Sequence, residues 1–264
     1  MDRHTPRKRF GQHFLADTHY VERIVAAIAP RAGDRIVEIG PGLAALTQKL
    51  VERAGHVVAI EIDRDLAARL RERFAADQLT LIEGDALDTD LAPLGDSLRV
   101  VGNLPYNISS PLLFHLASQT ATLRDIHVML QREVVDRMVA TPSISAYGRL
   151  SVMLQSRFAI ERLFIVPAGA FRPPPKVESA VARLVPLDGR AQAIANDERF
   201  AKVVAAAFSQ RRKTLRNALA SIADTATMMR VGIDPGARGE TLSVADFARL
   251  ANALPVAHKQ ATNA

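Results

Sequence analysis

The feature that most constrains the fold is a regular alternation of apolar runs and amphipathic segments between residues 34 and 140. The apolar runs are short and rich in β-branched residues, as in "DRIVEIG" and "HVVAIEID", which predicts buried strands. The intervening segments, such as 44–54 and 64–75, have apolar residues at helical spacing and predict helices. This alternation is typical of an α/β protein with a doubly wound, mostly parallel sheet, which binds ligands at the carboxyl ends of its strands.

The alternation loosens after residue 150, which indicates a change of architecture. Two later apolar segments, 158–171 and 179–187, predict antiparallel strands joined by the proline-stiffened loop "RPPPKV". Beyond residue 190 the strand patterns end and only helices are predicted, at 197–222, 224–231 and 243–253. We therefore expect a first domain at 1–188 and a small all-α domain at 189–264.

The charge of the chain is concentrated at its two ends. The 264 residues carry a net charge of +6, of which residues 1–13 contribute +3, residues 14–188 contribute −2 and residues 189–264 contribute +5. Clustered cations attract polyanions through counterion release, so nucleic acid is the first partner to consider. A merely basic, solvated surface explains the same charge equally well.

The composition also indicates a compartment. There is no cysteine, which suits a reducing environment and excludes disulfides and thiolate metal sites. The N-terminal "MDRHTPRKRFGQHFL" is basic but lacks an apolar core, and the longest apolar runs are too short to span a bilayer. We expect a soluble, cytoplasmic protein.

Three successive predicted strands end in residues that suit an adenosine ligand. "VEIGPGLAAL" places Gly40 and Gly42 at a strand-to-helix turn, where missing side chains let a ligand approach the backbone. The motif is an incomplete G-x-G-x-x-G, since residue 45 is alanine. Glu61 ends the next strand and could accept hydrogen bonds from ribose hydroxyls, and Asp85 could accept one from an adenine amino group. Dinucleotides and S-adenosylmethionine both fit this row.

The fourth strand ends in "NLPY", residues 103–106, which has no use in hydride transfer. An exocyclic base nitrogen is a poor nucleophile, because its lone pair is delocalised into the ring. The Asn103 side-chain oxygen and the Leu104 carbonyl, aimed by Pro105, could accept both amino hydrogens and favour a pyramidal, reactive nitrogen. Tyr106 could stack on a flipped-out base. An ordinary proline turn is the alternative.

These motifs and four others together resemble the ribosomal RNA adenine dimethyltransferases, and within them the bacterial enzymes that act on 16S rRNA. The resemblance covers nearly the whole chain and implies a Rossmann-like class I methyltransferase fold. Seven motifs carry it, in order: "RKRFGQHFL", "VEIGPGLAALT", "IEID", "GDAL", "GNLPYNIS", "FRPPPKVES" and "FSQRRKTLRNAL".

The resemblance implies a role for each matching residue. Asn103, Leu104, Tyr106 and Phe171 would act on the target adenine, with Phe171 stacking opposite Tyr106. Phe171 has an alternative role as a core residue beneath the proline loop. His13 stands where many relatives have asparagine, so we expect a backbone contact there. The implied cofactor-binding residues are His13, Leu15, Gly40, Glu61, Asp85 and Asn103.

The basic segment "SQRRKTLRNAL" is expected to bind RNA phosphates through Arg211, Arg212, Lys213 and Arg216. Phe208, Leu215 and Leu219 recur at helical spacing and predict a core stripe on the opposite side. The alternative is a solvated helix face.

The sequence therefore predicts an enzyme that uses S-adenosyl-L-methionine, without a metal, to dimethylate two adjacent adenines in the 3′-terminal hairpin of 16S rRNA. We expect the 30S subunit or its precursor as partner, a role in small-subunit biogenesis, no membrane association and a monomer. Three alternatives stay open: the related large-subunit methylase that confers macrolide resistance, a non-catalytic RNA-binding assembly factor, and a nicotinamide dehydrogenase.

Overall fold

The computed structural model describes residues 12–187, 193–210 and 212–255. They belong to two compact units. The first unit draws on Met1–Val139 and Arg157–Leu187, and the second on Ala140–Ser156 and Asp188–Ala264. None of the helices in the described parts of the chain is long and apolar enough to cross a membrane.

The first unit is built on a seven-stranded sheet in the order β4-β3-β2-β5-β6-β9-β7. The first five strands in this order run parallel, and β9 pairs antiparallel with both β6 and β7. A separate two-stranded pairing joins β1 to β8. The strands are β1 Phe14–Leu15, β2 Ile36–Ile39, β3 Val57–Glu61, β4 Leu79–Glu83, β5 Leu98–Asn103, β6 Leu123–Gln131, β7 Phe158–Val166, β8 Phe171–Arg172 and β9 Ser179–Pro186.

Helices follow the parallel strands, as the alternation predicted. Short polar residues fix where they begin: Asp17 accepts a hydrogen bond from the His19 amide, and Asp63 accepts one from the Asp65 amide. The helices of this unit are α1 Thr18–Ile28, α2 Ala45–Ala54, α3 Arg64–Arg73, α4 Ser109–Ser118 and α5 Arg132–Val139. The predicted parallel sheet and the two late antiparallel strands are thus confirmed.

A buried ion-pair network lies beside β5 and β6. Arg99 is 5% exposed and donates two hydrogen bonds to Asp125, at 3.0 and 2.9 Å, and one to Asp34 at 2.7 Å. It also donates to the carbonyl of Ile28, the last residue of α1, at 2.6 Å. This one guanidinium therefore compensates two carboxylates and a helix end. Nearby His127 is kept neutral, because burial lowers its pKa to about 4.

The second unit is helical and has its own apolar core. Tyr147 is fully buried there and donates from its hydroxyl to the Leu242 carbonyl at 2.8 Å. The predicted boundary at 188–189 assigned residues 140–156 to the other domain, whereas they pack in this unit. Its helices are α6 Arg149–Gln155, α7 Asp197–Ser209, α8 Leu215–Ala218, α9 Thr225–Arg230 and α10 Val244–Ala253.

The predicted helix at 197–222 is wrong in one respect, because α7 ends at Ser209 and α8 starts only at Leu215. The amide of Leu215 donates to the Ala237 carbonyl at 2.8 Å, and that of Arg216 donates to the Pro235 carbonyl at 3.0 Å. These long-range partners replace the bonds that would continue the helix. The predicted stripe nevertheless packs inward, with Leu215 and Leu219 fully buried and Phe208 partly buried.

Candidate active site

The carboxyl ends of β2, β3 and β5 border a cavity of about 290 Å³ in the first unit. Predicted site residues from separate parts of the chain meet there, as expected for a parallel sheet. Those that line the cavity are His13, Leu15, Gly40, Glu61, Asp85, Asn103, Leu104 and Tyr106.

The glycine turn between β2 and α2 is shaped by backbone geometry. Gly40 and Gly42 have φ values of +68° and +56°, in the region that favours glycine. A Cβ on Gly42 would lie 3.0 Å from the Phe14 ring, so a side chain there would press on the cavity wall. The Gly40 amide donates to the Ile60 carbonyl at 2.9 Å, whereas the Gly42 amide faces the cavity side of β3.

Glu61 is held as a rigid acceptor at the end of β3. It is 4% exposed; Oε2 accepts from the Gly42 amide at 3.2 Å and Oε1 accepts from the Asp63 amide at 2.9 Å. Burial raises the pKa of this carboxyl, and these backbone hydrogen bonds oppose the rise. A second acceptor, Asp85, is fixed beyond β4 because its Oδ1 accepts from the Leu87 amide at 2.9 Å.

Glu38 was missed in the sequence, although it precedes the glycine turn. It is 2% exposed, it lines the cavity, and its Oε2 has no hydrogen-bond partner within the described residues. Burial, and to a smaller extent the charge of Glu61, raise the pKa of Glu38 to about 7. The signal that could have revealed it is an acid inside an otherwise apolar strand, "IVEI".

Asn103 ends β5 with its amide in a defined orientation. Its Nδ2 donates to the backbone carbonyl of His13 at 2.8 Å. Because a carbonyl can only accept, this bond identifies the nitrogen end of the amide and leaves Oδ1 as the acceptor for a ligand. The prediction that residue 13 acts through its backbone agrees with this contact.

The neighbouring Gly102 explains how closely this amide approaches the glycine turn. A Cβ on Gly102 would lie 2.5 Å from the Ile39 carbonyl, closer than real atoms approach. Only glycine therefore allows β5 to run this close to the end of β2, which brings Asn103 and Gly40 to one rim.

Tyr106 is fixed at both ends of its side chain. Its hydroxyl and the Oγ of buried Ser179 lie 2.6 Å apart in a hydrogen bond, and burial raises the pKa of the tyrosine. The His13 ring is stacked on it, with centroids 5.6 Å apart and planes 28° apart. The His13 Nδ1 in turn lies 2.9 Å from the Pro173 carbonyl. The aromatic face predicted for a base is thus already used for ring stacking.

Phe171 departs from the predicted stacking role. It is fully buried, it belongs to the apolar core, and it does not line the cavity. Its strand, β8, pairs with β1 so that Phe171 lies opposite Leu15. The alternative from the sequence, a core residue beneath the proline loop, describes this conformation.

The predicted RNA-binding residues lie in the second unit. Arg212, Lys213 and Arg216 are exposed, and Arg211 lies outside the described residues. They lie in the turn after α7 and at the start of α8 and not on one continuous helix. Within residues 12–187, 193–210 and 212–255, no group of three or more histidine or acidic side chains could hold a metal ion.

The strand order, with β9 inserted antiparallel between β6 and β7, and the acidic row above it define a class I, S-adenosylmethionine-dependent methyltransferase fold. Solved structures agree. A dimethyladenosine transferase from Plasmodium falciparum superposes with a TM-score of 0.78 at 25% identity, covering 90% of this chain and 96% of that one. The 23S rRNA methyltransferase ErmE gives a TM-score of 0.68 at 27% identity, covering 91% and 99%.

The sequence comparisons narrow the class to a family. A family model described as "Ribosomal RNA adenine dimethylase" matches residues 3–255. Proteins named "Ribosomal RNA small subunit methyltransferase A" are similar over nearly their full lengths. That of Aromatoleum aromaticum is 58% identical over 96% of this chain and 95% of its own, and that of Bordetella petrii is 59% identical over 96% and 97%. The chain belongs to the ribosomal RNA adenine dimethylase family and is a methyltransferase, which rejects the dehydrogenase alternative.

Proposed function

We propose that the protein dimethylates the N6 amino groups of two adjacent adenines in the 3′-terminal hairpin of 16S rRNA. The substrate would be the 30S subunit or its precursor, in the cytoplasm, and the reaction would be a step of small-subunit biogenesis by a monomeric enzyme. Relatives named for the ribosomal small subunit, at up to 59% identity, support this choice of substrate over 23S rRNA.

The observation that carries the chemistry is the fixed amide of Asn103. With Nδ2 bound to the His13 carbonyl, Oδ1 is free to accept one hydrogen of the target amino group. The Leu104 carbonyl would accept the other, because Pro105 with φ −57° restrains this part of the backbone. Two acceptors favour a pyramidal nitrogen whose lone pair can attack. Neither acceptor needs to move during the reaction, which is the condition for strong transition-state stabilisation.

The remaining cavity residues fit S-adenosyl-L-methionine. Glu61 would hold its ribose hydroxyls, Asp85 its adenine amino group, and Gly40, Leu15 and the His13 backbone its methionine end. When bound, this cofactor supplies a methyl group activated by a sulfonium, with S-adenosyl-L-homocysteine as the product. The protein therefore needs to supply positioning and acceptors, and the proton displaced from the nitrogen leaves to water.

Tyr106 is the residue we assign to base stacking, since it lines the cavity next to Asn103. Its ring would exchange the His13 imidazole for the adenine, a replacement of one planar partner by another. For Phe171 to join the stack, it would have to leave the core, so we assign it to packing in this conformation.

The test is transfer of tritium from labelled S-adenosylmethionine to undermodified 30S subunits, followed by primer-extension mapping of both rRNAs. Marks on the two adjacent 16S adenines are expected. Marks on 23S rRNA alone would favour the large-subunit alternative. Binding to 30S particles without any transfer would favour a non-catalytic assembly factor.

We also propose that Arg212, Lys213 and Arg216, with Arg211, bind rRNA phosphates. The double variant Lys213→Ala/Arg216→Ala should weaken 30S binding. It should also flatten the salt dependence by about 0.7–0.9 log units for each phosphate that the variant no longer neutralises.

The matched control is Lys202→Ala/Arg230→Ala, which removes the same charge from exposed positions of α7 and α9. If both double variants change the salt slope equally, or neither does, the proposed RNA-binding surface is wrong. Cofactor affinity and thermal melting should stay unchanged in both variants.

A further inference from the structure

Glu38 is a buried acid to which the mechanism above gives no task. Its side chain reaches the cavity from β2, next to the glycine turn, and it is 2% exposed. Its Oε2 finds no hydrogen-bond donor among the described residues. A buried carboxylate oxygen without a partner is costly, so the free protein favours the protonated carboxyl.

The surroundings of Glu38 explain this preference. The charged group that acts on it is the carboxyl of Glu61, on neighbouring β3, and the polar group is the Thr47 hydroxyl on α2. Burial and the charge of Glu61 raise the pKa of Glu38 to about 7, whereas Thr47 opposes the rise. No cation of the described chain acts on this carboxyl.

The other acids of the cavity differ from Glu38 in their hydrogen bonds. Both oxygens of Glu61 accept from backbone amides, and Oδ1 of Asp85 accepts from another. These acids are arranged to receive hydroxyl or amino hydrogens from a neutral ligand. Glu38 has an acceptor to spare and lacks a positive charge, so a cationic ligand group would supply what it lacks.

We propose that Glu38 recognises the positive charge at the amino-acid end of the cofactor, and that its carboxyl ionises as the cation binds, releasing one proton to solvent. This inference rests on S-adenosylmethionine being the cofactor, as in the proposed function. The balance is simple: the O–H bond of the carboxyl breaks, the proton goes to buffer, and the carboxylate pairs with the cation. The cation is either the α-ammonium or the sulfonium, and the ligands below distinguish them.

The first measurement is calorimetric titration of the purified protein at pH 6.5 in two buffers of different ionisation enthalpy, which counts protons released on binding. S-adenosylmethionine should release most of one proton. 5′-Methylthioadenosine keeps the adenine and ribose, and therefore the contacts expected for Asp85 and Glu61, but has neither cation, and it should release none. S-adenosylhomocysteine keeps only the ammonium, so release with it assigns the ammonium, and no release assigns the sulfonium.

The second measurement compares wild type with Glu38→Gln between pH 5.5 and 6.5. The α-amino group of the ligand stays charged there, since its pKa is about 7.7–8.0. Wild-type affinity should rise by up to about tenfold over this interval, because the carboxyl must lose its proton. The variant should bind with nearly constant affinity, and thermal melting checks that it is folded.

Equal proton release with 5′-methylthioadenosine, or the same pH dependence in wild type and variant, would overturn the inference. These results differ from failure of the proposed function, in which S-adenosylmethionine would not bind or methyl transfer to 30S would be absent. Normal binding and transfer without proton release would reject the role of Glu38 alone.

Discussion

Replacing Asn103 by alanine tests the centre of the proposed site. In the structure this side chain makes one hydrogen bond, from Nδ2 to the His13 carbonyl at 2.8 Å. Loss of that bond should cost about 0.5–1.5 kcal/mol of stability. The backbone of β5 should persist, since it pairs with β6 through Met129 and the Leu104 amide donates to the Met129 carbonyl at 3.1 Å. The variant is therefore expected to fold.

The catalytic loss should be much larger than the structural one. Removing Oδ1 deletes a preorganised acceptor in the transition state, which typically costs about 10²–10³ in rate. Cofactor affinity should fall far less, since Glu61 and Asp85 remain in place. Single-turnover methyl transfer to 30S subunits, with calorimetric titration of S-adenosylmethionine beside it, separates the two effects.

His13→Ala is the matched control, because it keeps the backbone carbonyl that orients Asn103. It removes only the ring that stacks on Tyr106 and contacts the Pro173 carbonyl. We expect its rate to fall by less than about tenfold, well below the effect of losing the acceptor. Normal turnover by Asn103→Ala, or equal losses in the two variants, would refute the reasoning.

Three further predictions concern stability and stacking. Arg99→Met should destabilise the protein by about 3–5 kcal/mol in urea unfolding, because it strands buried carboxylates, and adding Asp125→Leu should recover part of this. Glu38→Gln should gain stability relative to wild type by up to about 3 kcal/mol as pH rises from 5 to 8: the carboxyl has a folded pKa of about 7 against 4.5, so its stabilising proton is lost over that range. A constant difference in melting temperature would contradict this. Tyr106→Phe should lose about 1–3 kcal/mol through unpaired Ser179 but keep methyl transfer, whereas Tyr106→Ala should lose it.

The sequence contained the parallel sheet and the rim of the cavity because both depend on local patterns. Strand periodicity identified β2 to β6, and glycine, acid and amide residues at strand ends necessarily meet at one edge of a parallel sheet. Gly40, Glu61 and Asn103 could thus be placed without coordinates.

The features that could not be predicted depend on long-range partners. The break before Leu215 arises because its amide bonds to Ala237, which no local pattern reveals. The burial of Phe171 follows from the pairing of β8 with β1, and the raised pKa of Glu38 follows from packing on all sides. The capture of the α1 carboxyl end by Arg99 likewise joins distant segments.

The short pairing of β1 with β8 has a consequence for how the cavity exchanges its contents. The N-terminal wall is held by this pairing, by amides of residues 16 and 17 on the Ala170 carbonyl, and by the bond from Asn103 to His13. None of these bonds is shared with the seven-stranded sheet ladder, except through the Asn103 side chain itself. The wall can therefore swing open at the cost of a local transition while the sheet stays intact. An enzyme that must change its spent methyl donor several times on one RNA would thus have a door hinged on the same amide that aims its substrate.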